Sequence, residues 1–278
     1  MVTVGVLALQ GGFSEHLSSL RKAANYLTES QSPLPPTTHT SFRFIEVRTP
    51  EQLASCDALV IPGGESTTLS LVAAQSGLIE PLREFVKVSK KPTWGTCAGL
   101  ILLCEEASAT KRGGQELIGG LDVKVHRNHF GRQIESFVTD LELPFLSLSS
   151  SDGEANGTKA AAPFPAVFIR APVVDQLLTN NTKLTDGESN GANPSEAVLE
   201  SNPRATREKV EVLAILEGRH ASNKKAAMGV APPGSLEGAG DIVALRQGNV
   251  FGMSFHPELT DDIRIHVWWL HQVTKALA

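Results

Sequence analysis

The stretch PTWGTCAGLILLCEE, residues 92–106, joins an apolar strand to an apolar helix through a turn with glycine on either side of a cysteine. Pro92–Thr96 reads as a strand leading into Cys97, and Ala98–Glu106 reads as the helix that follows. Gly95-Thr96-Cys97-Ala98-Gly99 has the G-x-nucleophile-x-G spacing of a nucleophile elbow, with cysteine in place of serine. The glycines serve a sharp, strained turn that leaves little room for side chains beside the nucleophile. Sulfur at a helix N-terminus is favoured as thiolate, its reactive form. The plainer alternative is a small buried cysteine beside a turn, and the strand–turn–helix context weighs against it.

Outward from this turn, the first half of the chain alternates strand and helix patterns. Val2–Leu9 is a mostly apolar run closed by Gln10-Gly11-Gly12, and the amphipathic stretch Ser14–Leu27 follows. Phe42–Val47 reads as a second strand. Thr49-Pro50-Glu51-Gln52 carries a capping box with proline at the first helical position. Asp57–Pro62 reads as a third strand, broken by Gly63-Gly64, and Leu78–Val88 as a helix. Buried strands separated by helices imply an α/β fold with a mostly parallel central sheet covered by helices. The second half adds strands at Asp122–His126, Ile134–Leu141, Ala166–Arg170, Val210–Leu216, Ile242–Gln247 and Val250–Phe255, then a closing helix over Asp261–Leu277.

Polar stretches rich in Gly, Pro, Ser and Asn interrupt this plan at about 28–41, 147–165, 180–207 and 218–240. They cannot support a core and are expected to be flexible surface insertions. Asn156-Gly157-Thr158 and Asn180-Asn181-Thr182 match the glycosylation pattern, read here as chance matches in a chain without a signal peptide.

Composition bounds the function. The 278 residues are 41% hydrophobic, enough for a sizeable core, but only 5% aromatic, which argues against a stacking platform for bases. A net charge of -5 argues against a basic nucleic-acid footprint. No stretch approaches the ~20 apolar residues of a membrane-spanning helix. Cys56, Cys97 and Cys104 are too few and scattered for a disulfide framework or a zinc site. Cys97 and Cys104, about two turns apart on one helix, would be beyond disulfide reach. A cytoplasmic protein with reduced thiols, no metal and no organic cofactor is the expectation.

A thiol nucleophile needs a base, and the base an orienting group. Phe255-His256-Pro257-Glu258 follows an apolar strand, and residues two apart in an extended segment point to one side. His256 and Glu258 can thus form the base and its orienter, although H-P-E alone is a short motif that recurs by chance. His220, His266 and His271 lack such a setting and read as surface or packing residues. Acyl transfer also needs donors for a developing oxyanion. Pro62-Gly63-Gly64-Glu65-Ser66 ends a strand where ligands bind in open α/β sheets, with an ordinary structural turn as the bland alternative. The N–H groups of Gly64 and Ala98 are the expected donors. No G-x-G-x-x-G or G-K-[ST] accompanies the loop, which argues against nucleotide binding.

Together, the strand-end PGG loop, the G-x-C-x-G turn and the late H-P-E resemble the triad-type glutamine amidotransferases. LALQG at Leu7–Gly11, PGGESTT at Pro62–Thr68, GTCAGL at Gly95–Leu100, RNHFGRQ at Arg127–Gln133, VFIRAP at Val167–Pro172 and SFHPELT at Ser254–Thr260 occur in this order. That series is similar to the glutaminase subunits of pyridoxal 5'-phosphate synthase. The resemblance covers nearly all the chain outside the insertions, whose length resembles eukaryotic members.

The resemblance implies one class I glutamine amidotransferase-like domain over residues 1–278. It makes Cys97 the nucleophile that forms a glutamyl thioester, His256 the general base and acid, and Glu258 its orienter. It places Gly64, Glu65, Ser66, Arg127, Ile169 and Arg170 around L-glutamine; for the two arginines taken alone, a solvated salt bridge would be the plainer reading. It implies ammonia supplied to a synthase subunit built as a β/α barrel, low activity without that subunit, and a protein classed as both hydrolase and lyase. No nucleic acid and no membrane enter this reading. The alternatives are a glutaminase for another synthase, a non-catalytic binding subunit of the same fold, and a cysteine peptidase or stress-response protein with a similar elbow.

Overall fold

The computed structural model describes residues 1–29, 41–108, 115–127, 136–147, 162–178, 208–217 and 240–278. The bulk of each expected insertion, both glycosylation matches, His220 and most of RNHFGRQ lie outside the described residues. The flanks fall inside: Thr28 and Glu29 close the first helix, and Phe164 and Pro165 begin a strand.

β1 (Val2–Leu7) pairs in parallel with β2 (Phe42–Val47) on one side and β3 (Ala58–Ile61) on the other. β4 (Thr93–Thr96) lies parallel to β3, and β12 (Val250–Met253) lies parallel to β4. β11 (Asp241–Gln247) then runs antiparallel to β12 and to β10 (Glu211–Leu216). β9 (Val173–Leu177), β6 (Leu121–His126) and β5 (Cys104–Ala107) complete a sheet that has 10 strands among the described residues. β7 (Phe137–Leu141) and β8 (Phe164–Phe168) form a separate antiparallel pair. The expected α/β plan holds: parallel in the first half, with added antiparallel strands in the second.

Period-2 alternation decides which side chain meets which layer. In β3, Ala58 and Val60 enter one apolar cluster with Val4 and Val6 of β1, while Leu59 and Ile61 enter the other. The first cluster is closed by α1 (Phe13–Glu29) and α7 (Arg264–Leu277), which contact each other and bring Leu17, Leu20, Trp269 and Val273 to the core. The second is covered by α2 (Pro50–Ala54), α3 (Ser66–Gln75), α4 (Ile79–Arg83) and α5 (Ala98–Leu103), through side chains such as Leu53, Leu69, Leu82 and Leu100.

The capping box forms as expected. Thr49 accepts from Gln52 N–H at 3.4 Å, and Gln52 Oε1 accepts from Thr49 N–H at 3.1 Å. Thr49→Ala is expected to destabilise the fold by about 1 kcal/mol, read from the midpoint of denaturant unfolding.

Several boundaries differ from expectation. α5 stops at Leu103, because Cys104 turns to φ -73°, ψ 155° and opens β5 against β6. Cys97 and Cys104 are therefore not on one helix. Leu78–Val88 splits into α4 and one π-helical turn over Glu84–Val88. α3, the short α6 (Pro144–Ser147) and β9 were not expected.

Candidate active site

Cys97 follows β4 and precedes α5 with φ 48° and ψ -101°, a conformation that strains any residue with a Cβ. Two bonds hold the strain: Cys97 N–H donates to the Met253 carbonyl at 2.7 Å, and the Cys97 carbonyl accepts from Ile101 at 3.2 Å. Gly99 is required by close approach, since a Cβ there would collide with the Ile61 carbonyl. The strand–turn–helix elbow is thus present, with its sulfur at the N-terminal end of a buried helix.

β4 and β12 are neighbours in the sheet, so the chain leaving β12 brings His256 to the same edge as Cys97. His256 N–H donates to the Val167 carbonyl at 2.8 Å, tying this segment to the end of β8. His256 Nδ1 lies 2.8 Å from Glu258 Oε1, which leaves Nε2 for the hydrogen bond with Cys97. The three residues are 6%, 8% and 5% exposed, respectively, so Coulomb interactions among them are weakly screened. Burial by itself disfavours an imidazolium, but the Cys97 and Glu258 partners outweigh it and push His256 up to about 10. Burial likewise disfavours a Glu258 carboxylate, yet His16 first and His256 second hold it well below the usual carboxylate range. The remaining thiols differ in kind: burial pushes Cys56 up to about 11 and Cys104 up to about 12, leaving both unreactive.

The loop after β3 packs against this triad. Gly63 N–H donates to Thr96 Oγ1 at 3.0 Å, and the Gly63 carbonyl accepts from Gly12 N–H at 3.1 Å. Gln10 Oε1 accepts from Glu65 N–H at 2.9 Å, so the LALQG and PGGES motifs meet. A Cβ on Gly63 would fall 2.7 Å from His256 Nδ1 and closer still to Cε1. Gly63→Ala is accordingly expected to displace the imidazole and slow glutamate formation from glutamine by on the order of 100-fold. Circular dichroism should show the fold retained.

The structure brings several expected binding residues together. Ser66 opens α3, and its hydroxyl accepts from Arg127 at 3.1 Å although 61 positions separate them. The same Arg127 nitrogen donates to Thr67 Oγ1 at 3.0 Å. Ser66 also donates to Gln115 Oε1 at 3.1 Å, a contact that no motif indicated. The Ile169 carbonyl lies 4.0 Å from Cys97 Sγ, and Arg170 beside it takes φ 46°. Glu65 uses its carboxylate locally, accepting from Thr67 and Thr68 N–H and the Thr68 hydroxyl as the cap of α3. Partial burial opposes its ionisation, but those hydrogen bonds hold its carboxyl below the ordinary value.

Sequence reasoning missed His16 altogether, while His266, read as a surface or packing residue, lies on the buried face of α7. Both are fully buried beside the triad, with His16 Nε2 3.2 Å from Glu258 Oε2. The available signal was positional: His16 falls on the apolar stripe of α1 with Phe13, Leu17 and Leu20, where an unpartnered histidine would be costly.

A buried cysteine–histidine–carboxylate row on a strained elbow, beside a glycine loop, is an arrangement suited to acyl transfer. The chain belongs to the SNO glutamine amidotransferase family, which it matches over residues 6–198 and 226–275. It is 39% identical over 276 residues to a probable pyridoxal 5'-phosphate synthase subunit PDX2 of Arabidopsis thaliana, covering 99% of this chain and 87% of that one. It is 35% identical to the pyridoxal 5'-phosphate synthase subunit PdxT of Pyrococcus furiosus, covering 98% and 100%. A crystal structure of a glutamine amidotransferase superimposes with a TM-score of 0.60 at 32% identity, covering 98% of each chain. The family resemblance and the fold expected from it are borne out. The lyase expectation is corrected, since the family match is to amidotransferases, whose action on the glutamine amide is hydrolytic.

Proposed function

We propose that this chain is a glutaminase that hydrolyses L-glutamine to L-glutamate and ammonia, and that it supplies the ammonia to a pyridoxal 5'-phosphate synthase. The observation that carries the reading is Cys97 on its strained elbow, backed by His256 and Glu258 in one buried row. In the mechanism, the Cys97 thiolate attacks the side-chain amide carbon of glutamine. The oxygen of that amide takes up the negative charge and is met by the N–H groups of Gly64 and Ala98. Ala98, as the first residue of α5, has an N–H without a partner inside the helix. Protonated His256 gives its proton to the departing nitrogen, and ammonia leaves a glutamyl thioester. Neutral His256 then takes a proton from water, which attacks the thioester and releases glutamate and the Cys97 thiolate. Glu258 fixes the imidazole and stabilises its charged form throughout.

The substrate's backbone groups are assigned to the ring of Ser66, Arg127, Ile169 and Arg170, beside the loop of Gly64 and Glu65. A guanidinium suits a carboxylate, and a main-chain carbonyl such as that of Ile169 suits an ammonium. The proposed partner is a synthase subunit, expected to be a β/α barrel, whose docking raises an otherwise low activity. The relatives' names, each a synthase subunit, support this pairing. One domain of the cytoplasm is the proposed setting. Three unpaired thiols support a reducing compartment, and no helix among the described residues is long and apolar enough to cross a membrane.

An electrophilic glutamine analogue tests the site directly. It should label Cys97 and leave Cys56 and Cys104 unmodified, and L-glutamine should protect against it. Labelling spread over all three thiols, or none protected by glutamine, would contradict the assignment.

A further inference from the structure

The outer oxygen of the catalytic carboxylate has a neighbour that the triad does not explain. Glu258 Oε1 is engaged by His256, while Oε2 is buried, has no aligned hydrogen bond and lies 3.2 Å from His16 Nε2. That same nitrogen is 3.1 Å from Thr96 Oγ1, so His16 sits between the carboxylate and the threonine that receives Gly63 N–H. On its other side, His16 Nδ1 is 3.1 Å from His266 Nε2. Trp94 closes the group edge-on, with ring centroids 5.2 Å from His16 and 5.1 Å from His266.

The hydrogen-bond pattern selects the tautomers. His266 Nδ1 is buried and unpartnered, which is cheaper as a lone pair than as an N–H donor. His266 is therefore neutral with its proton on Nε2, consistent with burial holding it well below the ordinary histidine value. It donates to His16 Nδ1, which leaves His16 with an N–H at Nε2, shared between Glu258 Oε2 and Thr96 Oγ1.

On the glutaminase reading above, we propose that His16 is a positioning residue for the reaction: it fixes the outer oxygen of Glu258 so that the inner one keeps His256 aimed at Cys97, and through Thr96 it ties that alignment to the Gly63–Gly64 loop. The ionisable groups around Glu258 are His256 from the loop after β12 and His16 from α1. Cys97 and His266 lie one contact beyond them. Removing His16 leaves burial acting on Glu258 with one partner fewer, so the carboxylate protonates at higher pH.

The test uses the chain assembled with its synthase subunit and follows glutamate formation. His16→Leu should lower kcat by about 10- to 100-fold through lost alignment, with KM for glutamine changed by no more than about 2-fold. The acid limb of its kcat–pH profile should move to higher pH. His16→Gln places an amide N–H near the Nε2 position and should recover most of kcat and return the acid limb towards the wild-type position. A leucine variant with the wild-type kcat and acid limb would overturn the role. A glutamine variant as impaired as the leucine one would also overturn it, by reducing His16 to packing. If the leucine variant does not fold, nitrogen-15 NMR of the histidines decides. The role requires an Nε2–H on His16 whose resonance shifts in Glu258→Gln, and an Nδ1–H tautomer contradicts it. A wild-type complex that forms no glutamate would instead refute the glutaminase reading on which the role rests, whatever the NMR shows of the contact.

Discussion

Replacing Cys97 with alanine is expected to abolish glutamate and ammonia formation while glutamine still binds. No other described thiol can substitute, because burial holds Cys56 and Cys104 in the protonated form and neither sits on the elbow. Without a nucleophile, the remaining donors can only polarise the amide towards water. Loss of a nucleophile in triad enzymes costs on the order of a million-fold in kcat, so the residual rate should fall below detection. The substitution should leave the strain at φ 48° in place, since alanine keeps the Cβ that causes it. Isothermal titration with glutamine, run beside the assay, separates lost chemistry from lost binding. Persistent turnover in Cys97→Ala would remove cysteine from the mechanism.

His256→Asn is expected to be nearly as severe, because in the proposed mechanism one side chain serves as acid for ammonia and as base for water. Glu258→Gln should be milder, retaining a hydrogen-bonding orienter but losing its charge. A loss of about 100- to 10,000-fold brackets the cost of such a change. The pH dependence carries the same signature. His256 rises from 6.5 to about 10 in the folded chain, so its charged form contributes stability fully present below about pH 6.5 and lost as pH climbs through about 10. Glu258 moves the other way: its contribution is present above its ordinary value of 4.5 and is lost on strong acidification. The melting temperature of the wild type should therefore fall more between pH 7 and 10 than that of His256→Asn. Turnover followed through glutamate should decline as pH nears about 10, where the imidazole has no proton to hand to ammonia. Equal alkaline slopes in both proteins would refute the charged pair.

Much of this was legible in the chain because local signals and tertiary demands agreed. β1 and β3 are short, mostly apolar runs and β2 mixes apolar with charged residues, and the capping box at Thr49 announced α2 within a residue. The juxtaposition of Cys97, His256 and Glu258 was legible because each sits in a motif whose backbone context restricts it. What failed did so for identifiable reasons. α3 is rich in Ser and Thr and is capped by Glu65, a residue that carries no helix-start signature. Cys104-Glu105-Glu106 favours helix by propensity, and pairing with β6 overrides that preference. β9 is a brief VVDQL without clear alternation, and its place between β11 and β6 depends on partners far away in sequence.

The site was less legible where it is built by convergence. Arg127 meets Ser66 and Thr67 only because β6 and the start of α3 open onto one edge of the sheet. Gln115 and His16 carry no motif at all. A histidine within an amphipathic helix is visible in sequence, but its carboxylate partner lies at the far end of the chain. Glu65, legible as part of PGGES, turns out to use its side chain as a helix cap, which leaves its main chain facing Gln10.

The most direct measurement is the rate of glutamate and ammonia release from L-glutamine by the purified chain, alone and with a pyridoxal 5'-phosphate synthase subunit. The account predicts slow release alone and a sharp rise with that subunit, both lost in Cys97→Ala. No release in either condition, with Cys97 intact and reduced, would contradict it.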